Sequence, residues 1–406
     1  MKKTIVLIDL LSGGHRDAFM QFFAKACLEQ NCRVVCVYPE TALIREWFEK
    51  NLPQYQEDIS YVDNPVKTTV YSGFGPFNDS LKALTLWKRS ARLVKQIEKR
   101  NTLKADVVFF NCIDYFLGNS IPSFLLDLIF PYKWSGLYFH PAVFRRNPSS
   151  ITKPLTFRDI DSIFRSKNCV AVALHDEGII KKYQQRIHKP VLLFPEIADA
   201  TPPDENNTMA QEIRKQANGR IIIGTIGLEP YKGCFEMMRL VKIADPAHYF
   251  FAFTGGWGGE EWKLYFNDDR RAEEFFEFEK NLPGNCYWNT GVLTEGAEYN
   301  SLFNSFDIIW LLYKKFYSSS NRLTKAAIFH KLVLASDKGC VGDDVPSYRL
   351  GATADENDPA DQLKKLELLR QKILAKDFPE AQWQIYAEKH SVASLNEKFA
   401  ELLNFV

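Results

Sequence analysis

The feature that most constrains the fold is an alternation of short apolar runs and amphipathic segments, which occurs twice along the chain. In the first half, residues 4–9 and 32–38 are β-branched runs that predict buried strands, and residues 16–30 between them have helical periodicity. A strand, a helix and a second strand joined by short loops predict a parallel sheet. Further strands are predicted at 106–111, 136–140, 169–174 and 190–194.

The same alternation restarts after a polar stretch at 195–219, which predicts a linker. A second series of strands is predicted at 221–226 and near 248–253, 286–288, 307–312 and 331–335. Two such halves predict an α/β protein with two Rossmann-like domains facing across a cleft. The domains are placed at residues 1–197 and 198–390, with a final helix at 391–406 that packs back on the first domain.

Charge and composition exclude several classes of protein. The 406 residues hold 51 Lys and Arg against 50 Asp and Glu, a net charge of +1, so the bulk charge does not direct this chain to nucleic acid. No uninterrupted run of apolar residues approaches the length of about 20 that a transmembrane helix needs. The eight cysteines form no Cys-x-x-Cys pair, and we expect buried thiols, no metal site and a reducing compartment. Together these observations favour a cytoplasmic protein.

Two candidate sites of the first half lie at the carboxyl ends of strands, where open α/β sheets bind ligands. The Gly13-Gly14 loop, followed by His15, can bring its backbone close to an anion at a helix start, and a tight strand-to-helix turn is the alternative explanation. His140 ends its strand, with Arg145 just beyond. It can orient a sugar hydroxyl or accept a proton, or it is a loop histidine beside solvated arginines.

Two basic candidates follow strands of the second half. Lys232, in the turn 229–233, can neutralise a diphosphate at the mouth of a strand-to-helix loop. Small polar residues of 318–326 open a predicted helix, on which Arg322 and Lys325 share a face because they are three residues apart. The alternatives are a surface lysine in a Pro/Gly turn and a helix N-cap with two exposed bases.

The segment 82–104 is strongly basic, with eight Lys and Arg against the single acid Glu98, a local charge of +7. Apolar residues recur in it at helical spacing: Leu81, Leu84, Trp87, Ala91, Val94 and Ile97. A basic amphipathic helix of this kind can bind an anionic bilayer. The alternative is a core-facing helix with a solvated face. Peripheral contact with an anionic membrane through 81–104 is therefore an expectation alongside a cytoplasmic location.

In combination, the motifs of the second half resemble the retaining GT-B glycosyltransferases of family 4. Residues 226–233, Ile-Gly-Leu-Glu-Pro-Tyr-Lys-Gly, are similar to the family's strand and loop ending in Lys-Gly. Residues 319–326 and 331–336 are similar to its "s-P-N-K-l-x-E-x" and "K-P-V-v-A-s" segments. Further similar segments are 291–308 and 386–391, with a looser fit at Gly13-Gly14-His15 and at His140.

The resemblance implies a nucleotide-diphosphate sugar bound by the C-terminal domain and a glycan, lipid-linked or small-molecule acceptor bound by the N-terminal domain. It implies that Lys232 and Arg322 hold the diphosphate and stabilise the leaving group without a metal ion or further cofactor, and that His140 lies near the transferred sugar. The other implied residues are Gly13, Gly14, Gly233, Ser320, Asn321, Leu323, Thr324 and Lys325 for the donor, and His15 and Arg145 for the acceptor.

Three positions depart from the family pattern. Lys325 stands where the family usually has a Glu that accepts hydrogen bonds from the ribose, and an ammonium group has no acceptor. Tyr317 occupies the position of the first Glu in the family's E-x7-E pair, so this carboxylate is also missing. Glu229 or Gly227 occupies a position at which the family commonly has a basic residue. The sequence predicts a hexosyltransferase-like enzyme of polysaccharide biosynthesis. The alternatives are a catalytically degenerate partner subunit or sugar-binding module, and a nucleotide-sugar epimerase.

Overall fold

The structure is a computed structural model that describes residues 2–12, 15–64, 76–118, 121–145, 159–256, 269–293, 295–378 and 380–406. The chain divides into two compact units. The first consists of Met1–Pro195 with Ser391–Val406, and the second of Glu196–His390. Each unit is built around one parallel β-sheet.

The strands of the first sheet are β1 (Thr4–Ile8), β2 (Arg33–Tyr38), β3 (Ile59–Asp63), β4 (Val107–Phe110), β5 (Trp134–Tyr138), β6 (Val172–Leu174) and β7 (Val191–Leu193). Their order is β3-β2-β1-β4-β5-β6-β7. All described pairs are parallel. The strand order reverses between β1 and β4, and open sheets bind ligands at the carboxyl ends of the strands at such a reversal.

The strands of the second sheet are β8 (Ile221–Ile226), β9 (Tyr249–Thr254), β10 (Cys286–Asn289), β11 (Ile308–Leu311), β12 (Leu332–Ser336) and β13 (Gly351–Ala354). Their order is β10-β9-β8-β11-β12-β13, again with parallel pairs. Here the order reverses between β8 and β11, where Ile223 is paired with Ile308.

The helices alternate with the strands as far as β13, after which three helices follow one another. They are α1 (His15–Glu29), α2 (Ala42–Asn51), α3 (Pro76–Asn101), α4 (Ser123–Ile129), α5 (Ala142–Arg145), α6 (Ile180–Ile187), α7 (Thr208–Ala217), α8 (Cys234–Ile243), α9 (Asp269–Lys280), α10 (Ala297–Ser305), α11 (Asn321–Ile328), α12 (Gly339–Ser347), α13 (Pro359–Ala375), α14 (Glu380–Lys389) and α15 (Val392–Leu403). Among the helices of the described ranges, none is long and apolar enough to cross a membrane.

The central strands are buried along their whole length. Every residue of β1 and of β9 is buried, which is typical of parallel sheets covered on both faces. This burial explains why the sequence of these strands is a continuous apolar run. All eight cysteines are buried free thiols, as the sequence predicts.

Two expectations about secondary structure are corrected. The prediction of a linker at 195–219 is wrong over its second half, because helix α7 forms there. Asn207 caps this helix, since its Oδ1 atom accepts a hydrogen bond from the Ala210 backbone N–H, and the helix buries Ile213. The strand predicted at 136–140 lies at Trp134–Tyr138, so His140 lies two residues beyond the strand end.

The last helix, α15, packs against α1 in the first unit through an aromatic cluster. The Phe399 ring centre lies 5.5 Å from that of Phe23, 5.3 Å from that of Phe109 and 5.1 Å from that of Phe194. Phe399 is fully buried. The chain end therefore contributes core contacts to the unit that contains the chain start.

We expect Phe399→Ala to destabilise the first unit by about 3–5 kcal/mol, because the cavity it leaves is surrounded by other rings. The matched change is Phe405→Ala, since Phe405 is 39% exposed, and we expect it to cost less than about 0.5 kcal/mol. Urea unfolding measures the difference, and hydrogen exchange of β1 and β4 assigns it to the first unit. Equal effects of the two changes would contradict a core role for α15.

Candidate functional site

The candidate site lies in the second unit, at the reversal of strand order between β8 and β11. The loop 227–233 leaves the sheet after β8, and the chain after β11 leads to α11. Lys232 belongs to the first of these segments and Arg322 to the first turn of α11. The topology therefore brings together two residues that the sequence singles out separately.

Gly233 is required by the turn that ends this loop. Its φ is 77°, and a Cβ atom there would lie 2.1 Å from the carbonyl oxygen of Leu312. Trp310 Nε1 donates a hydrogen bond to the Gly233 carbonyl oxygen at 3.1 Å. This close packing accounts for a glycine at position 233, and the predicted contact of Gly233 with a donor stays a prediction.

Three charged side chains converge on Gly227, whose φ is 95°. A Cβ atom at this position would lie 2.5 Å from Lys232 Nζ, 2.7 Å from Glu229 Oε2 and 2.8 Å from Arg322 Nη2. Lys232 Nζ also donates a hydrogen bond to Glu229 Oε1 at 2.8 Å. We call these four residues the Gly227 cluster. Any larger residue at position 227 would occupy the space into which the three side chains point.

The cluster has buried polar atoms without partners. Arg322 is 7% exposed. Within the part of the chain that the structure describes, its Nη1 atom and the Oε2 atom of Glu229 have no hydrogen-bond partner. Buried polar groups are almost always paired in native proteins, so a free guanidinium edge at this position indicates a place for an anionic ligand.

The charges of the cluster influence one another. Burial and then the positive charge of Arg322 lower the pKa of Lys232 from 10.5 to about 8, while Glu229 opposes this change. Two cations and one carboxylate leave one excess positive charge when Lys232 is protonated. Tyr299 and Tyr313 also interact electrostatically with the Arg322 guanidinium. The arrangement suits a phosphate group, which offers both negative charge and acceptor oxygens.

The small polar residues around Arg322 are engaged inside the second unit. Ser320, the residue before α11, has its hydroxyl 3.0 Å from the Tyr313 hydroxyl. Thr324 Oγ1 donates to a backbone carbonyl oxygen at 2.8 Å, and Leu323 is fully buried. The implied donor contacts of Ser320, Asn321, Leu323 and Thr324 stay predictions.

Lys325 is 1% exposed and has its own set of partners. Its Nζ atom donates to Glu295 Oε2 at 2.8 Å and to Asn300 Oδ1 at 2.5 Å. It lies 3.9 Å from Asp199 Oδ2 and 4.4 Å from the centre of the Tyr299 ring. The ammonium group is thus neutralised within the unit. The Glu295 side chain is 45% exposed, so this pairing holds a carboxylate at the surface.

We expect Lys325→Met to destabilise the second unit by about 1–3 kcal/mol, because the buried Asn300 Oδ1 atom loses its donor. Glu295→Gln is the matched change at the exposed end of the pair, and we expect it to cost less than about 1 kcal/mol. Urea unfolding compares the two variants. A larger loss for Glu295→Gln than for Lys325→Met would contradict this division.

In the first unit, a residue just after β1 and one in the first turn of α1 form an ion pair that the sequence analysis did not single out. Arg16 Nη1 donates to Asp9 Oδ1 at 2.7 Å, and burial raises the pKa of Asp9. Gly13 and Gly14 lie outside the described residues. Helix α1 begins at His15, of whose side chain the structure gives no description.

His140 and Arg145 each have a carboxylate partner. His140 is exposed, with Nδ1 3.1 Å from Asp114 Oδ1, and its backbone N–H donates to the same oxygen. Arg145 donates from Nε and Nη2 to both oxygens of the buried Asp176, at 2.5 and 2.6 Å. Asp114 and Asp176 were not predicted. The only signal for each in the sequence is an Asp just after a strand.

In the described ranges, no group of three or more His, Cys, Asp and Glu side chains could hold a metal ion.

No protein-family model matches the chain, and neither does any curated protein. Solved structures do match over nearly the full length of the chain.

Three of these structures illustrate the similarity. HepE of Anabaena in complex with UDP and glucose is 13% identical, with 100% of each chain covered and a TM-score of 0.63. Sucrose-phosphate synthase of Thermosynechococcus elongatus is 12% identical over 99% of this chain and 98% of the other, with a TM-score of 0.66. A UDP-forming α,α-trehalose-phosphate synthase of Burkholderia xenovorans is 13% identical over 100% and 99%, with a TM-score of 0.64. Family 4 itself stays a prediction. The chain has the GT-B fold of these glycosyltransferases, with its two Rossmann-like sheets, as the sequence predicts.

Proposed function

We propose that the protein is a glycosyltransferase that moves a sugar from a nucleotide-diphosphate sugar to a glycan, a lipid-linked saccharide or a small molecule. The observation that carries this proposal is the Gly227 cluster, in which the buried Arg322 guanidinium has a free Nη1 atom beside Lys232. A diphosphate supplies the acceptor oxygens and the negative charge that these two groups need. Similar structures of the same fold were determined with UDP and with UDP-glucose, which supports this choice of ligand.

In the reaction, an acceptor oxygen forms a bond to the anomeric carbon and releases its proton to water, while the bond between the anomeric carbon and the diphosphate oxygen breaks. Negative charge develops on the leaving diphosphate. Arg322 and Lys232 are placed to stabilise that charge, which lowers the barrier because the two cations are already oriented. This proposal requires no cofactor.

We extend the proposal to a retaining, hexosyltransferase-like reaction of polysaccharide synthesis, on the resemblance of residues 226–233 and 319–326 alone. The first unit takes the acceptor in this proposal. His140, held by Asp114, is proposed to lie near the transferred sugar.

Calorimetric titration with UDP, GDP, ADP, CDP and dTDP tests the donor site. We expect one nucleotide to bind, and Arg322→Lys and Lys232→Met each to weaken its binding at least about tenfold, because each change removes a charge-assisted hydrogen bond. The matched control is Lys215→Met on α7, since Lys215 is exposed and outside the cluster.

The outcomes separate the candidate functions. Binding of none of the five nucleotides, by a protein that is folded, would contradict a nucleotide-sugar site. Binding without transfer to any acceptor, together with loss of a partner enzyme's activity when this chain is deleted, would favour a partner subunit. Conversion of the donor without an acceptor would favour an epimerase.

Nucleotide binding is expected to weaken as the pH rises through about 8, because Lys232 loses its proton there and with it the charge that attracts the diphosphate. Glu229→Gln removes the carboxylate that holds the pKa of Lys232 up, so the midpoint moves to lower pH. At a pH low enough for Lys232 to stay protonated, the same variant should bind the nucleotide more tightly, because the cluster then gains net positive charge. A Lys232→Met variant with the same pH profile as the unchanged protein would contradict this assignment.

A further inference from the structure

The outward face of α3 is basic over most of its length. Six of its residues are exposed Lys and Arg: Lys88, Arg89, Arg92, Lys95, Lys99 and Arg100. Among the described residues, none of the six has an ion-pair partner. Helix α3 has two acids, of which Asp79 lies in its first turn, before the basic residues. The other, Glu98, is turned towards the protein, where its carboxylate accepts hydrogen bonds from the Ala105 backbone N–H at 2.9 Å and from the Tyr132 hydroxyl at 3.3 Å.

The rotation of α3 about its axis is fixed by its buried side. Trp87 is fully buried, and its Nε1 atom donates to the Phe116 carbonyl oxygen at 3.0 Å. Val94 and Ile97 are buried on the same side. The opposite stripe, at helical spacing, consists of Leu81, Lys88, Arg92, Lys95 and Lys99. Leu81, at the start of this stripe, is 62% exposed, so its predicted place in the apolar stripe with Trp87 and Val94 is wrong.

Helix α4, which packs on α3, presents an exposed apolar pair. Phe124 is 68% exposed and Leu128 is 77% exposed, the two most exposed large apolar side chains in the described ranges. They are four residues apart and therefore share one helical face. The other side of α4 packs on α3, and the ring of Phe130, just after α4, lies 5.1 Å from that of Trp87.

Stability of the helix does not explain this surface. Lys99 and Arg100 lie in the last turn of α3, where positive charge favours the helix dipole. Lys88 and Arg92 lie earlier in the helix and are four residues apart, a spacing at which like charges destabilise a helix. Exposed apolar side chains on a helix packed against such a basic helix are typical of interaction surfaces.

We propose that α3 and α4 form a docking surface for an anionic lipid bilayer. The basic side chains of α3 bind the headgroups, and Phe124 and Leu128, with Leu81, enter the interfacial region. Charge complementarity selects an anionic surface, and the apolar pair selects a bilayer over nucleic acid, which would leave both side chains in water. The proposal goes beyond sugar transfer and rests only on residues of the first unit.

Sedimentation of the full-length protein with vesicles tests the proposal. We expect binding to vesicles of equal parts phosphatidylglycerol and phosphatidylcholine at low salt, weaker binding at high salt, and no binding to phosphatidylcholine alone. Arg92→Glu with Lys95→Glu should weaken binding about tenfold or more, since each basic residue near the bilayer contributes to its attraction. Phe124→Ser with Leu128→Ser should weaken the binding that remains at high salt.

The matched control is Lys215→Glu with Lys364→Glu, which makes the same change of charge at exposed positions of the second unit and should leave vesicle binding unchanged. Urea unfolding of every variant shows whether the fold is intact. Failure of the unchanged protein to sediment with the anionic vesicles at low salt would overturn the proposal. Binding of RNA at equal strength, insensitive to the Phe124 and Leu128 changes, would overturn it in favour of nucleic acid.

Discussion

The parallel pairing of β8 with both β9 and β11 is the constraint on which the candidate site depends. Ile223 is paired with Phe251 on one side and with Ile308 on the other. Because the pairs are parallel, the segments after β8 and β11 leave the same edge of the sheet, next to each other. Lys232 and Arg322, which are distant in sequence, therefore meet at Gly227.

Helix α11 then divides its two bases between separate tasks. Arg322 and Lys325 are three residues apart, and from periodicity alone both were expected to face one anion. In the structure, the Arg322 guanidinium lies at Gly227, whereas Lys325 Nζ binds Glu295 and Asn300. Both partners of Lys325 come from the chain between β10 and β11, which a periodicity argument does not include. As a result, the buried Arg322 guanidinium keeps its Nη1 atom without a hydrogen-bond partner among the described residues, whereas the charge of Lys325 is neutralised.

The strands that consist of continuous apolar runs can be predicted from the sequence. The features that depend on pairing between distant segments cannot. Fully buried strands such as β1 and β9 were predicted close to their bounds. The edge strands β3 and β13 were not, because they are only partly buried and lack an apolar run. Helix α7 was taken for a linker because few of its residues are apolar. Glu229 and Lys232 pair within one turn of the chain. Even so, no sequence pattern shows whether a Glu in such a turn points into the protein or towards solvent.

Two of the positions that depart from the predicted family pattern, 227 and 325, lie beside charged groups from other segments of the second unit. At position 227, a Cβ atom would lie 2.8 Å from Arg322 Nη2, so the glycine leaves room for the buried guanidinium. At position 325, a lysine stands where the predicted family pattern has a carboxylate, and Glu295 brings a carboxylate to within 2.8 Å of its Nζ atom. The lysine therefore does not leave this part of the second unit without a carboxylate. Here, the charge arrives from another loop, and only the fold shows it.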